Sequence, residues 1–200
     1  MPIGFTRQLG TNSIPVWQGT GKDIQLVQGG FALNATGLSS DTMIPAGTPF
    51  VFNETNRTAT MVGGGSLQAA ALATDTTYKV NKGGTYKLGD NFAAVSGGAA
   101  YPITAIDNSN SAYDVITVGT TLGVALAVGA NTFASSATGA TSAALPNVNG
   151  LLYDDTQAIA GESVSIVIRG TVYARRIPFA YSAALAALTG LDDIIFSQSK

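Results

Sequence analysis

Apolar residues in this chain recur in short alternating runs, the pattern of strands with one face buried. The sharpest is 163–174, where Val164, Ile166 and Ile168 alternate with Ser163, Ser165 and Val167, and the run continues through Gly170 to Val172 and Ala174. Gly170 in its middle predicts a bulge or a bend. Residues 101–106 and 113–118 predict two strands joined by the polar turn 107–111. Residues 78–80 and 86–88 share an apolar-charged-apolar order around 81–85, whose glycines suit a hairpin turn. Tyr78 and Val80 then share a buried face, and Lys79 and Lys87 point to water. A shorter hairpin is predicted from 24–27 and 31–33 around Gly29-Gly30.

Residues 50–52 and 58–62 predict two strands about the polar loop 53–57. Pro45 and Pro49 place the first at an edge or in a loop wall, because proline gives no ladder donor. Residues 124–128 alternate with small side chains, 151–153 read as a strand, and 191–196 as a closing one. Residues 129–149, dense in Ala, Ser, Thr, Gly and Asn, predict a long loop or extended edge. One helix is expected at about 180–188, after Pro178 and before Gly190, and 66–73 suits a short helix. The fold class is therefore mainly β: a compact β-barrel or sandwich of short strands with one short C-terminal helix and an extended N-terminal arm.

Residues 1–22 carry no period of 2 or 3.6, only isolated anchors such as Phe5, Ile14 and Trp17. They read as an extended arm or as a frayed terminus. Trp17, the single tryptophan, favours an arm that docks. Residues 23–200 then form one β-rich domain, a size that supports a real core.

Composition removes whole reaction classes. Ala, Gly, Thr and Ser make 92 of the 200 residues, charged residues only 11%, and there is neither His nor Cys. A Ser-His-Asp triad, a Cys-His pair, disulfides and the usual zinc, copper and haem ligand sets are all excluded. Acid–base chemistry would fall to Asp, Glu, Lys or Tyr, and the 12 carboxylates show no two-carboxylate glycosidase spacing. Ten scattered Lys and Arg and a pI near 4.8 argue against a nucleic-acid partner. The pair Arg175-Arg176 reads as the exposed end of a strand. The longest apolar run, 122–130, is far too short to span a bilayer, and no targeting segment is evident. No enzyme, cofactor, nucleic-acid partner or membrane partner is expected.

Three motifs fall short of sites. Asp107, Asn108, Ser109, Asn110, Ser111 and Asp114 offer closely spaced oxygens, but Ala112 and Val118 stand where a calcium loop needs Gly and Glu. Asp154-Asp155 and Asp192-Asp193 read as turn or cap residues. Gly19-Thr20-Gly21-Lys22 lacks the first glycine of a phosphate loop.

Two phrases carry a resemblance. Gly150-Leu-Leu-Tyr-Asp-Asp-Thr-Gln-Ala158 and Gly161-Glu-Ser-Val-Ser-Ile-Val-Ile-Arg-Gly-Thr-Val-Tyr173, with Arg175-Arg-Ile-Pro178 and Ile194-Ile-Phe-Ser197 after them, resemble the auxiliary head-decoration proteins of tailed bacteriophages. Ile44-Pro-Ala-Gly-Thr-Pro49, Tyr78-Lys-Val80 and Tyr86-Lys-Leu-Gly-Asp90 are similar to phrases of phage head proteins. The resemblance implies a virion structural protein on the capsid exterior, with the major capsid protein as partner, that reinforces the shell as a homo-oligomer, a trimer favoured. Phe5, Trp17, Arg175 and Arg176 are the interface candidates. The alternative is a receptor- or carbohydrate-binding β module of a fibre or adhesin, for which Tyr78, Tyr86, Tyr101 and Tyr113 would gather over a groove.

Overall fold

A computed structural model describes residues 15–19, 22–38, 42–179 and 183–198. Strands dominate, in three sheets. The first has nine strands along the path Trp17–Gln18, Ile166–Tyr173, Gly150–Leu152, Pro49–Asn53, Thr58–Met61, Phe31–Asn34 and Ser163–Val164; Gln25–Leu26 and Ile194–Ser197 also pair with Ile166–Tyr173. The second has six, ordered Gly64–Ser66, Asn131–Ser135, Asn91–Ala93, Ala100–Asp107, Tyr113–Val118 and Thr77–Asn81. Met43–Ile44 and Thr156–Gln157 form a small third sheet.

No sheet closes into a barrel; the arrangement is consistent with a sandwich. Both large sheets nevertheless curl. The ends of the six-stranded sheet meet through the bridge Leu67 to Val80 and through Asn81 Nδ2, which donates to Ser66 Oγ at 2.9 Å. In the nine-stranded sheet Ser163–Val164 and Ile166–Tyr173 are separated by Ser165 alone, whose carbonyl accepts from Tyr153 N at 2.9 Å.

The nine-stranded sheet is covered on both faces, because successive strand residues point opposite ways. Leu152 packs with Phe31, Phe50 and Ile166 on one side. Its neighbour Leu151 packs with Val172, Phe179 and Leu191 on the other. The six-stranded sheet wraps its own cluster, centred on Tyr78, Phe92, Ile103 and Ile116. The chain passes between the two sheets at 62–64, where Val62 N bonds back to Pro49 O and Gly63 O accepts from Ala134 N.

The strongest expected elements form. Ala100–Asp107 and Tyr113–Val118 are an antiparallel pair, with an irregularity between Ile103 and Ala105. In 163–174 the predicted bend is a change of partners. Residues 166–169 lie between Gly150–Leu152 and Gln25–Leu26, and 170–173 between Trp17–Gln18 and Ile194–Ser197.

Other expectations are corrected. Thr77–Asn81 has the expected alternation, Tyr78 and Val80 buried and Lys79 exposed, yet it pairs with Tyr113–Val118 and not with 86–88. Tyr86 turns inward instead, and its hydroxyl donates to Thr132 Oγ1 at 2.7 Å. Gln25–Leu26 and Phe31–Asn34 likewise pair with distant strands and make no hairpin. Pro49–Asn53 is an interior strand, tolerated because the proline is its first residue. The supposed loop 129–149 contains Asn131–Ser135, paired on both sides. Residues 66–73 form no helix but end a strand and make isolated bridges. The C-terminal helix expected at 180–188 is reduced to one turn, Ala183–Ala186, followed by the 3-10 turn Thr189–Leu191; residues 180–182 lie outside the described residues. Four residues are too few to make a helix stable by itself. Among the described residues no helix is long and apolar enough to cross a membrane.

Candidate functional site

A polar cleft of about 330 Å³ lies over the partner change in Ile166–Tyr173. Its cross-strand rows follow from register: Gln25 lies beside Arg169, and Thr171 beside Ile195. Gly170 leaves the floor bare, and Lys22, Asp23 and Asp193 complete the walls. Two cations and two carboxylates thus face one open groove. The arrangement offers hydrogen bonds in both senses to a polar surface. It joins no nucleophile to a base at bonding distance among the described residues.

Of the sequence-derived interface candidates, Phe5 lies outside the described residues. Trp17 is half-buried. Its indole Nε1 donates to Tyr153 O at 2.8 Å, and its strand pairs with Val172 and Thr171. Arg176 stacks on Tyr173, 4.2 Å from the ring centroid, and its Nη1 donates to Pro15 O at 2.8 Å. These two side chains therefore hold residues 15–18 onto their own sheet. Arg175 is exposed, in the turn just past the strand as expected, and makes no bond to another described residue.

The possible calcium loop is occupied by the protein itself. Asp107 Oδ1 accepts from Ser109 N at 2.9 Å and Asn110 Oδ1 from Ala112 N at 2.8 Å, two side-chain turns. Bonds from Ser109, its backbone N–H first and then its side chain, hold the Asp107 carboxyl below its ordinary range. Lys82 Nζ pairs with Asp114 and donates to Asn108 O at 2.9 Å, so an ammonium sits where a metal would. Asp155 Oδ1 caps Ala46 N at 2.7 Å, a turn role as expected. Burial, then the Asp155 charge, pushes the Asp154 carboxyl up. Among the described residues no three carboxylates cluster as a metal site.

Two groups escaped the sequence reading. Arg57, with φ 54°, is a clip: Nη2 donates to Gln28 O at 2.6 Å and Gly30 O at 3.1 Å, Nη1 pairs with Glu54, and the guanidinium lies 4.4 Å over Phe31. Its only sequence signal is a lone cation after Asn53-Glu54-Thr55-Asn56, in a loop that asks for a positive φ. Asp90 accepts from Lys87 N at 3.1 Å and lies against Gly63 at the crossing between sheets; burial pushes its carboxyl up. Burial also drives the Tyr86 phenol far above its usual range.

The four tyrosines do not gather over a groove. Tyr78 and Tyr86 pack on Phe92 in the core, with centroids at 5.0 and 5.4 Å, and Lys79 lies over Tyr113.

No family model, curated protein or solved structure matches this chain.

Proposed function

We propose that this chain is a structural protein of a phage particle, a sandwich-type β module that binds the outer surface of the capsid and reinforces it. The observation that carries the reading is where the phage-like phrases fall. Gly150–Leu152 and Ile166–Tyr173, from the two most telling phrases, are adjacent paired strands in the interior of the nine-stranded sheet, Leu151 against Val167 and Leu152 against Ile166. The strand segments of those two phrases therefore belong to the framework of the fold. A chain dense in backbone pairing, without His or Cys, suits a structural role.

The carbohydrate-binding alternative draws no support from Tyr78 and Tyr86, which the core absorbs.

Co-sedimentation tests the proposal. Purified protein added to expanded phage capsids lacking their outer auxiliary protein pellets with them, saturates at a fixed ratio to the major capsid protein, and raises the temperature at which the shells open. Protein that stays in the supernatant across shells at several maturation stages overturns it.

A further inference from the structure

The chain contains one Asn-Gly pair, Asn149-Gly150. Asparagine loses its side-chain amide most readily before glycine, because no side chain hinders the next backbone nitrogen from reaching Cγ and the main chain there turns freely. The fold ties this pair down. Asn149 Oδ1 accepts from Phe52 N at 2.8 Å and Nδ2 donates to Phe52 O at 2.9 Å, so the carboxamide pairs with Phe52 as a further backbone rung would. Asn149 N donates to Phe50 O at 3.1 Å, and Gly150 is buried opposite Phe50 where its strand begins. Gly190 closes over the pair: a β-carbon there would stand 2.7 Å from Asn149 Cα and 2.9 Å from its Cβ.

We propose that Asn149 is a conformation-gated modification site, kept intact by the fold and deamidated when residues 149–152 leave their sheet. In the open chain Gly150 N attacks Asn149 Cγ. The N–Cγ bond forms, the Cγ–Nδ2 bond breaks, and Nδ2 departs as ammonia with the proton from Gly150 N. Water then opens the succinimide ring. Cleavage of the new N–Cγ bond gives aspartate; cleavage at the main-chain carbonyl gives isoaspartate, with the backbone rerouted through Cγ. In the folded chain, ring closure must first break both bonds to Phe52, so its rate follows the fraction of time the segment is open. Neither product fits the fold. Aspartate at 149 has no proton for Phe52 O and sets a charged oxygen against it. Isoaspartate lengthens the main chain just before Leu151 and Leu152, both fully buried. Gly150 has no room to absorb the shift, since even a β-carbon on it would overlap Ile166. Prolonged unfolding is thereby made permanent. The inference concerns the chain itself and does not rest on capsid binding.

Peptide mapping by mass spectrometry, on the full chain aged at neutral pH in native buffer and in guanidinium chloride, provides the test. In denaturant Asn149 is the first asparagine converted. In native buffer it converts at least about tenfold more slowly, the factor that breaking two hydrogen bonds before reaction imposes. Asn108-Ser109 serves as the internal reference: it is exposed, a single bond to Asp107 holds the Ser109 nitrogen, and denaturant accelerates it less. On dilution from denaturant, chains deamidated at 149 collect in the fraction that fails to regain the parent's circular dichroism. Gly190→Ala presses on Asn149 and leaves the Asn-Gly pair unchanged, so it raises the native rate several-fold. If that variant does not fold, the parent in sub-denaturing guanidinium replaces it, with a rate that climbs as the segment opens. Equal rates at Asn149 in folded and unfolded protein, a native rate unmoved by Gly190→Ala or by sub-denaturing guanidinium, or deamidated chains that refold with the parent's stability overturns the proposal.

Discussion

Gly64→Ala puts the junction of the sheets to a quantitative test. Gly64 begins a strand of the six-stranded sheet, and the ring of Phe179 lies directly over its α-carbon. An added methyl would fall well inside van der Waals contact with two ring carbons. Phe179 is only 2% exposed and packs with Val62, Val172 and Leu185, so the ring has no free volume to enter. Its displacement forfeits most of the roughly 1.5–3 kcal/mol that burying a Phe contributes, and strain on the neighbours adds about 1 kcal/mol or more. Replacing Gly by Ala stiffens the unfolded chain and returns about 0.4–1 kcal/mol. The net expectation is a loss of about 2–3 kcal/mol, a fall in Tm of roughly 5–10 °C for a domain of this size. Urea unfolding at fixed protein concentration measures it. The decisive comparison is a double-mutant cycle. Phe179→Ala empties the volume that the new methyl needs, so the double variant is less destabilised than the sum of the singles by roughly 2 kcal/mol. Additive effects, or a Gly64→Ala loss under about 0.5 kcal/mol, would refute the reasoning.

Trp17→Phe keeps an aromatic ring but deletes the bond to Tyr153 O, and unfolding curves should show a loss of about 0.5–1.5 kcal/mol. Arg57→Ala removes two carbonyl bonds and the stacking on Phe31. The loss is about 1–2 kcal/mol, and Arg57→Lys restores less than half of it because an ammonium cannot span both carbonyls while stacking; full rescue by lysine would reduce the clip to simple charge. Asp90 has a carboxyl raised above its unfolded value, so the folded state holds that proton more tightly. Its charge therefore costs stability above the folded pKa, and the cost fades as pH falls through that value towards the ordinary carboxylate range. Asp90→Asn should be at least as stable as the parent at pH 7, with the difference closing by pH 4; a parent that instead loses stability relative to the variant on acidification has the opposite linkage.

Strands whose alternation is carried by large side chains were legible in the sequence, and Tyr113–Val118 and Ile166–Tyr173 are the examples. Asn131–Ser135 was not, because its buried positions are Thr132, Ala134 and Ser135, which look like loop composition. Alternation also says nothing about partners. Thr77–Asn81 matched a hairpin with 86–88, but its own partner lies more than 30 residues away and Tyr86 found a better place inside. Pro49 was misjudged because a proline is harmless at a strand's first position even inside a sheet. Of the candidate sites, Trp17 and Arg176 were recognisable as unusual residues, but their partners, Tyr153 and Pro15, became visible only when the strands were brought together.

The strand Ile166–Tyr173 gathers its neighbours from residues 17, 25, 151 and 194, nearly the whole span of the chain. Loop closure must be met before such distant pairings return any stability, which makes the fold slow to nucleate. During synthesis the central strand stays short of one partner until residues near 194 have been made, and until then its edge is open to strands of other nascent chains. Abundant production of this protein therefore depends on finishing each chain faster than unfinished ones find each other.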